Sequence, residues 1–100
     1  MTRRRRIHSD AAAELSDAVR WYESKRLGLG RDLLDDVSTA IDRVADNPEA
    51  ATSLSTDGKT RRVLVSRFPY QLVVRLRETE LVIVAIAHLK RRPGYWRHRH

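Results

Sequence analysis

The run HLKRRPGY, residues 88 to 95, sets a histidine, three basic side chains and a tyrosine within eight positions. Together these types could cleave a phosphodiester without a metal. Attack by a ribose 2′-hydroxyl on the neighbouring phosphorus needs a base for the hydroxyl proton, a cation for the charge growing on the phosphoryl oxygens and an acid for the leaving oxygen. Histidine is the side-chain type that changes charge near neutral pH, so His88 could be acid or base. Arg91 and Arg92 could grip phosphate in bidentate fashion. Tyr95 could stack on a base or, with its pKa lowered by the adjacent arginines, exchange a proton. Each has a plainer reading too: a strand-end histidine bonded for packing, a solvated charge run, an aromatic that anchors the segment.

Other basic residues lie in blocks. RRRR occupies positions 3 to 6 and KTRR positions 59 to 62, while the middle of the chain is acidic. The net charge is +7 and the pI about 10.8. Such a chain attracts polyanions, with affinity that falls as salt rises. Lys59, Arg61, Arg62, Lys90 and Arg97 are therefore candidates for contacts to a target or to nucleic acid. His8, His98 and His100 lie near the ends of the sequence, where no rigid frame would hold a metal, so neither metal nor cofactor is expected. The absence of cysteine excludes disulfides and a thiol nucleophile. The start MTRRRRIHSD has no apolar run behind its basic residues, and no window reaches the ~20 apolar residues of a membrane span, so a cytoplasmic, membrane-free protein is expected.

The elements that must position these groups are readable from periodicity. Residues 3 to 8 suggest a short strand leading to Ser9 or Asp10 as helix cap. Ala11, Leu15, Ala18, Val19 and Tyr22 recur at helical spacing, with Glu14, Asp17 and Glu23 read as off that stripe. RLGLGRD is a turn and not a phosphate loop, because no strand precedes it and no third glycine follows at the dinucleotide spacing. A second helix over about 31 to 46 carries Leu33, Leu34, Val37, Ile41 and Val44, and Asn47-Pro48 stops it. Residues 49 to 60 read as a loop. RRVLVSRF, YQLVVRLR and ELVIVAIAH then read as three strands of a meander, the last buried on both faces. In the final strand, alternation groups His88 with Val82, Val84 and Ile86. Trp21, Tyr22, Phe68, Pro69 and Tyr70 read as core or turn residues.

The expected fold is a single α+β domain over residues 1 to 100, order βααβββ, with an antiparallel two-helix hairpin on one face of a four-stranded, largely antiparallel sheet. The other face would be left for a partner, with the basic residues of the C-terminal segment converging on it.

In order and spacing, AAAELSDAVRWYES, GLGRDLL, the NP closing the second helix, RRVLVSRFPYQLVV and VAIAHLKRRPGYWRHR resemble the RelE/ParE superfamily of type II toxin–antitoxin toxins. The resemblance implies a growth-inhibiting toxin neutralised by a cognate antitoxin with an acidic segment. It also implies a target that is either DNA gyrase or ribosome-bound mRNA. In the second case the chain would be a metal-independent endonuclease. A full set of catalytic lysine, arginine and tyrosine positions does not align, which leaves catalysis and target open, with a slight lean toward the gyrase-poisoning branch or an uncharacterised one. A basic nucleic-acid-binding module or an inactive toxin remnant is the alternative.

Overall fold

A computed structural model describes residues 3–100. Strand β1 (Arg4–Ile7) leads into helix α1 (Ser9–Lys25), helix α2 (Leu29–Asp46) and a 3₁₀ turn (Pro48–Ala50). Strands β2 (Thr52–Ser53), β3 (Thr60–Leu64), β4 (Tyr70–Leu76) and β5 (Glu80–His88) follow. The sheet has five strands in the order β1-β5-β4-β3-β2, antiparallel except for the β1–β5 pair. The expected four-stranded sheet thus gains β2, whose two residues pair with Arg61 and Arg62 inside the stretch read as a loop. Two residues are too few to show an alternating pattern.

The helices pack on one face. Leu33, Val37, Ala40 and Val44 of α2 and Ala11 and Ala18 of α1 are buried against Leu72 and Val74 of β4 and Leu81, Ile83 and Ile86 of β5. His8, and not Ser9 or Asp10, caps α1, its Nδ1 accepting from the Asp10 amide at 3.0 Å. The turn between the helices is capped from the side. Gly28 takes a positive φ of 92° and offers no side-chain cap, so the Glu23 carboxylate of α1 accepts from the amides of Gly28 (2.9 Å) and Gly30 (2.9 Å). Those amide donors hold the Glu23 pKa below its ordinary value. The hairpin between β3 and β4 carries Arg67 at φ 66°, and a fork of bonds to Asp36 of α2 pins that turn to the helical layer.

Strand β5 breaks the simple alternation. The β4–β5 register shifts between Val73 and Val74, so Val73 faces Ala85 and Val74 faces Ile83, leaving Val84 as the extra residue of a bulge. Val82, Val84 and Ala85 then lie away from the helices, while Ile86 faces them. His88, paired with Tyr70, stands on the helix side with Ile86, separated from Val82 and Val84. The grouping of all four by alternation is therefore corrected.

The face opposite the helices is not left open. The segment after β5 folds back across it and buries Trp96 against Val73, Val82, Val84 and Ala85. An aromatic of this size removes about 150–250 Å² from water, worth on the order of 4–6 kcal/mol before ordering costs are subtracted. Trp21, read as core, is instead 54 % exposed, while Tyr22 packs edge-on against Phe68 and Tyr70.

Close helix packing yields a stability test. A Cβ on Gly30 would stand 2.9 Å from the Val19 carbonyl oxygen and 3.1 Å from Val19 Cγ1. Gly30→Ala should lower the unfolding free energy by about 1–3 kcal/mol in urea titration, the usual range for overpacking. The Glu23 cap gives a pH test. Its folded pKa is depressed, so its contribution is complete above the unfolded carboxylate range and disappears as pH falls through the folded value. Glu23→Gln should lower the melting temperature at pH 7, and the gap from the parent should close toward pH 3.

Candidate functional site

At the centre of the site β5 loses its neighbour. β1 pairs only with Glu80 to Ile83, so the later part of β5 has backbone groups with no strand to bond them. Side chains take that role. The Glu14 carboxylate of α1 accepts from the Ile86 amide at 3.0 Å, and Arg99 Nη1 donates to the Val84 carbonyl at 3.0 Å. Glu14 and Arg99 also meet in a fork, Nη1 to Oε1 at 2.9 Å and Nη2 to Oε2 at 3.1 Å. The Tyr95 hydroxyl donates to Glu14 Oε2 at 2.7 Å. Arg99 is 8 % exposed, and the Glu14 bond raises its pKa further. The Asp10 carboxylate lies 3.7 Å from Arg99 Nε, close enough to attract it but too far to accept a hydrogen bond.

This arrangement corrects the reading of Tyr95. Burial, followed by the bond to Glu14, pushes its pKa up to about 12, outweighing the lowering by Arg91 and Arg99. Its ring is gripped as well, with the Arg91 guanidinium carbon 3.9 Å and that of Arg99 5.0 Å from the centroid. Tyr95 serves as an anchor. His88 uses Nδ1 to accept the Lys90 amide at 3.1 Å, and its ring packs edge-on against Tyr70 at 5.2 Å. It borders a hollow on the helix side with Asp17, Trp21 and Arg91. Tyr95 also borders a cleft on the opposite face, so His88 and Tyr95 do not converge on one reaction space.

That cleft gathers several of the remaining candidates. Arg62 from β3 and Arg91, Arg92 and Arg97 from the C-terminal segment line a hollow of about 280 Å³, with no carboxylate among its lining residues. Gly94 shapes the loop: its φ of 80° suits glycine, and a Cβ there would stand 2.7 Å from Arg97 Nε, which folds back over it. Arg61 and Lys59 lie elsewhere. Arg61 bonds the carbonyls of Gly58 and Ala51 at 2.8 and 2.9 Å, bracing the 49–60 segment, and Lys59 is exposed beside it along another hollow. Lys90 is exposed at the turn and does not line the cleft.

Sequence reasoning missed Glu14 and Arg99. A signal for Glu14 existed: it lies three residues after Ala11 and four before Ala18, both buried, so it belongs to the packed stripe of α1 and needs a buried partner. Nothing in WRHRH distinguishes Arg99 from Arg97 as the residue that turns inward.

With this geometry in place, comparisons with known proteins identify the family. A family model described as the ParE toxin of the type II toxin–antitoxin system, parDE, matches residues 5–93. The chain belongs to the ParE toxin family. Among solved structures it is similar to a chain of the chromosomal ParDE toxin–antitoxin system from P. aeruginosa, with 19 % identity and a TM-score of 0.68 over 87 % of this chain and 96 % of that one. At that identity the likeness concerns the fold. A search of curated proteins found no match. No helix among the described residues is long and apolar enough to cross a membrane.

Removal of Glu14 tests the centre of this arrangement. Glu14→Ala leaves the Arg99 guanidinium buried and unpaired, and should cost about 2–4 kcal/mol, toward the lower part of the usual range because Glu14 keeps some contact with water. A double-mutant cycle with Arg99→Ala should give a coupling energy above about 1 kcal/mol. In ultraviolet titration Tyr95 should ionise near pH 12. Its folded pKa lies above the unfolded value, so its stabilisation is complete below about pH 10 and is lost as pH rises through 12.

Proposed function

We propose that the chain is the growth-inhibiting toxin of a type II pair, neutralised by a cognate antitoxin, and that it acts by binding DNA gyrase without cutting mRNA. The family supports the toxin reading. The observation that favours binding over cleavage is the commitment of the Tyr95 hydroxyl to Glu14, with its pKa near 12 and His88 on the other side of the sheet. A phosphodiester lodged among the arginines would meet no matched acid and base.

The antitoxin is assigned a different surface from the sheet face expected from sequence, because the chain's own Trp96 covers the valines of that face. β1 has a strand neighbour on one side only, and its arginines run along the edge. Beside it lies a groove of about 340 Å³ lined by Ile7, Leu15, Leu34 and Ile41, with Arg5 and Arg6 at the rim. An extended segment alternating apolar and acidic residues could pair its backbone with β1, set its apolar side chains in the groove and place its carboxylates by Arg5 and Arg6, in competition with Asp42 and Glu80. This remains consistent with the acidic antitoxin segment implied by the resemblance.

Two assays on one preparation separate the targets. Purified chain should inhibit supercoiling by gyrase, and primer extension on mRNA from growth-arrested cells should show intact transcripts. His88→Ala should retain growth arrest to within about threefold in the inducer dose required. Normal supercoiling at saturating protein together with codon-linked cuts would reverse the assignment.

A further inference from the structure

Four arginines without an ion-pair partner among the described residues share one recess of this protein. Ion pairs among the described residues engage Arg5, Arg6, Arg20, Arg31, Arg67 and Arg99, and none of these lines the cleft between β3 and the C-terminal segment. The cleft holds Arg62, Arg91, Arg92 and Arg97 without a carboxylate, against a net charge of +7 for the whole chain. Arg62 makes one long bond, 3.4 Å, to Gln71, and Arg91 lies over the Tyr95 ring, which fixes its plane while leaving its N–H edge for another acceptor. Like charges kept together in a recess repel one another and focus a positive field there. Such a site favours an anion that can accept several guanidinium forks at once.

We infer that this cleft binds the phosphodiester backbone of single-stranded nucleic acid. Arginine forks match phosphate oxygens. Leu54, Leu89 and Pro93 on the walls offer apolar contact to sugar and base. An acidic peptide fits less well, because β4 is paired along both sides and Arg62 of β3 is paired with both β4 and β2, so the backbone at that arginine is already bonded. A duplex is disfavoured by size: a hollow of about 280 Å³ is too small to seat a rigid double helix, whereas a single strand can bend its backbone into it. The inference stands apart from the choice of gyrase as target, since it rests on charge and shape alone.

Fluorescence anisotropy with the full chain and a labelled twelve-residue oligothymidylate tests it. Binding should weaken with salt, and Arg92→Ala with Arg97→Ala should reduce affinity by more than about tenfold and flatten the log–log salt slope by roughly 1.4, the value for two fewer contacts to a single strand. Arg26→Ala with Arg43→Ala removes the same charge outside the cleft and should change affinity by less than about threefold. Arg92→Lys with Arg97→Lys keeps the charge and should recover part of the loss, with melting followed by circular dichroism to verify folding. Equal losses in the two alanine pairs would overturn the site. Tighter binding of a duplex of equal length, or displacement by polyglutamate as effective as by unlabelled oligonucleotide, would overturn the assignment of ligand.

Discussion

A strand of nine residues flanked on one side by a strand of four leaves backbone that must be satisfied by other means, since buried amides and carbonyls without partners are costly. Here the means is a carboxylate–guanidinium pair. Glu14 takes the Ile86 amide and Arg99 the Val84 carbonyl, while the two groups neutralise each other. The pair joins residues far apart in sequence, from α1, β5 and the C-terminal segment. That tie helps to position the segment beyond β5: Tyr95 bonds Glu14, Trp96 lies on the valines of the far face, and Arg91, Arg92 and Arg97 line a cleft.

The bulge in β5 matters for the same reason. By adding Val84 to one strand, it changes which residues face the helices, so that Ile86 and His88 join the helical side while Val82, Val84 and Ala85 form a seat for Trp96. Without the shift, strict alternation would carry Ile86 to the far side with Val82 and Val84. The hydrophobic content of ELVIVAIAH suits this arrangement because nearly every position is apolar. For the same reason the pattern cannot indicate where the extra residue falls.

This explains which parts of the molecule were readable from sequence. The helices were clear because Leu33, Val37 and Val44 repeat at helical spacing and Pro48 ends the run, both local effects. The meander was clear because β-rich runs are separated by turn residues. β2 was not, because two residues carry no period. The site was harder, since its organising contact is long-range: Glu14 and Arg99 are 85 positions apart. A carboxylate on the packed stripe of α1 was an available sign that a buried cation existed somewhere. Which of several arginines supplied it depended on the bulge and on the docking of Trp96, and neither is encoded by spacing alone.

The charge blocks, adjacent in composition but not in space, divide into separate roles. Arg61 braces a loop through backbone carbonyls, Arg67 holds a strained turn against Asp36, and Arg99 completes a sheet edge. A sequence count treats these as equivalent to Arg92 or Arg97, but structurally they are spent on internal bonds and offer little to a ligand. Recognition charge lies on two surfaces: beside the edge of β1, where Arg5 and Arg6 are paired with Asp42 and Glu80, and in the cleft on the far face, whose arginines have no ion-pair partner among the described residues. Those two surfaces differ in more than location. The first has unpaired backbone and an apolar groove, so it can read a polypeptide; the second has four arginines and no carboxylate among its lining residues, so electrostatics and arginine geometry govern what it holds. A small basic domain can thereby keep a protein partner and a phosphate-bearing ligand on separate faces, and occupancy of one need not exclude the other.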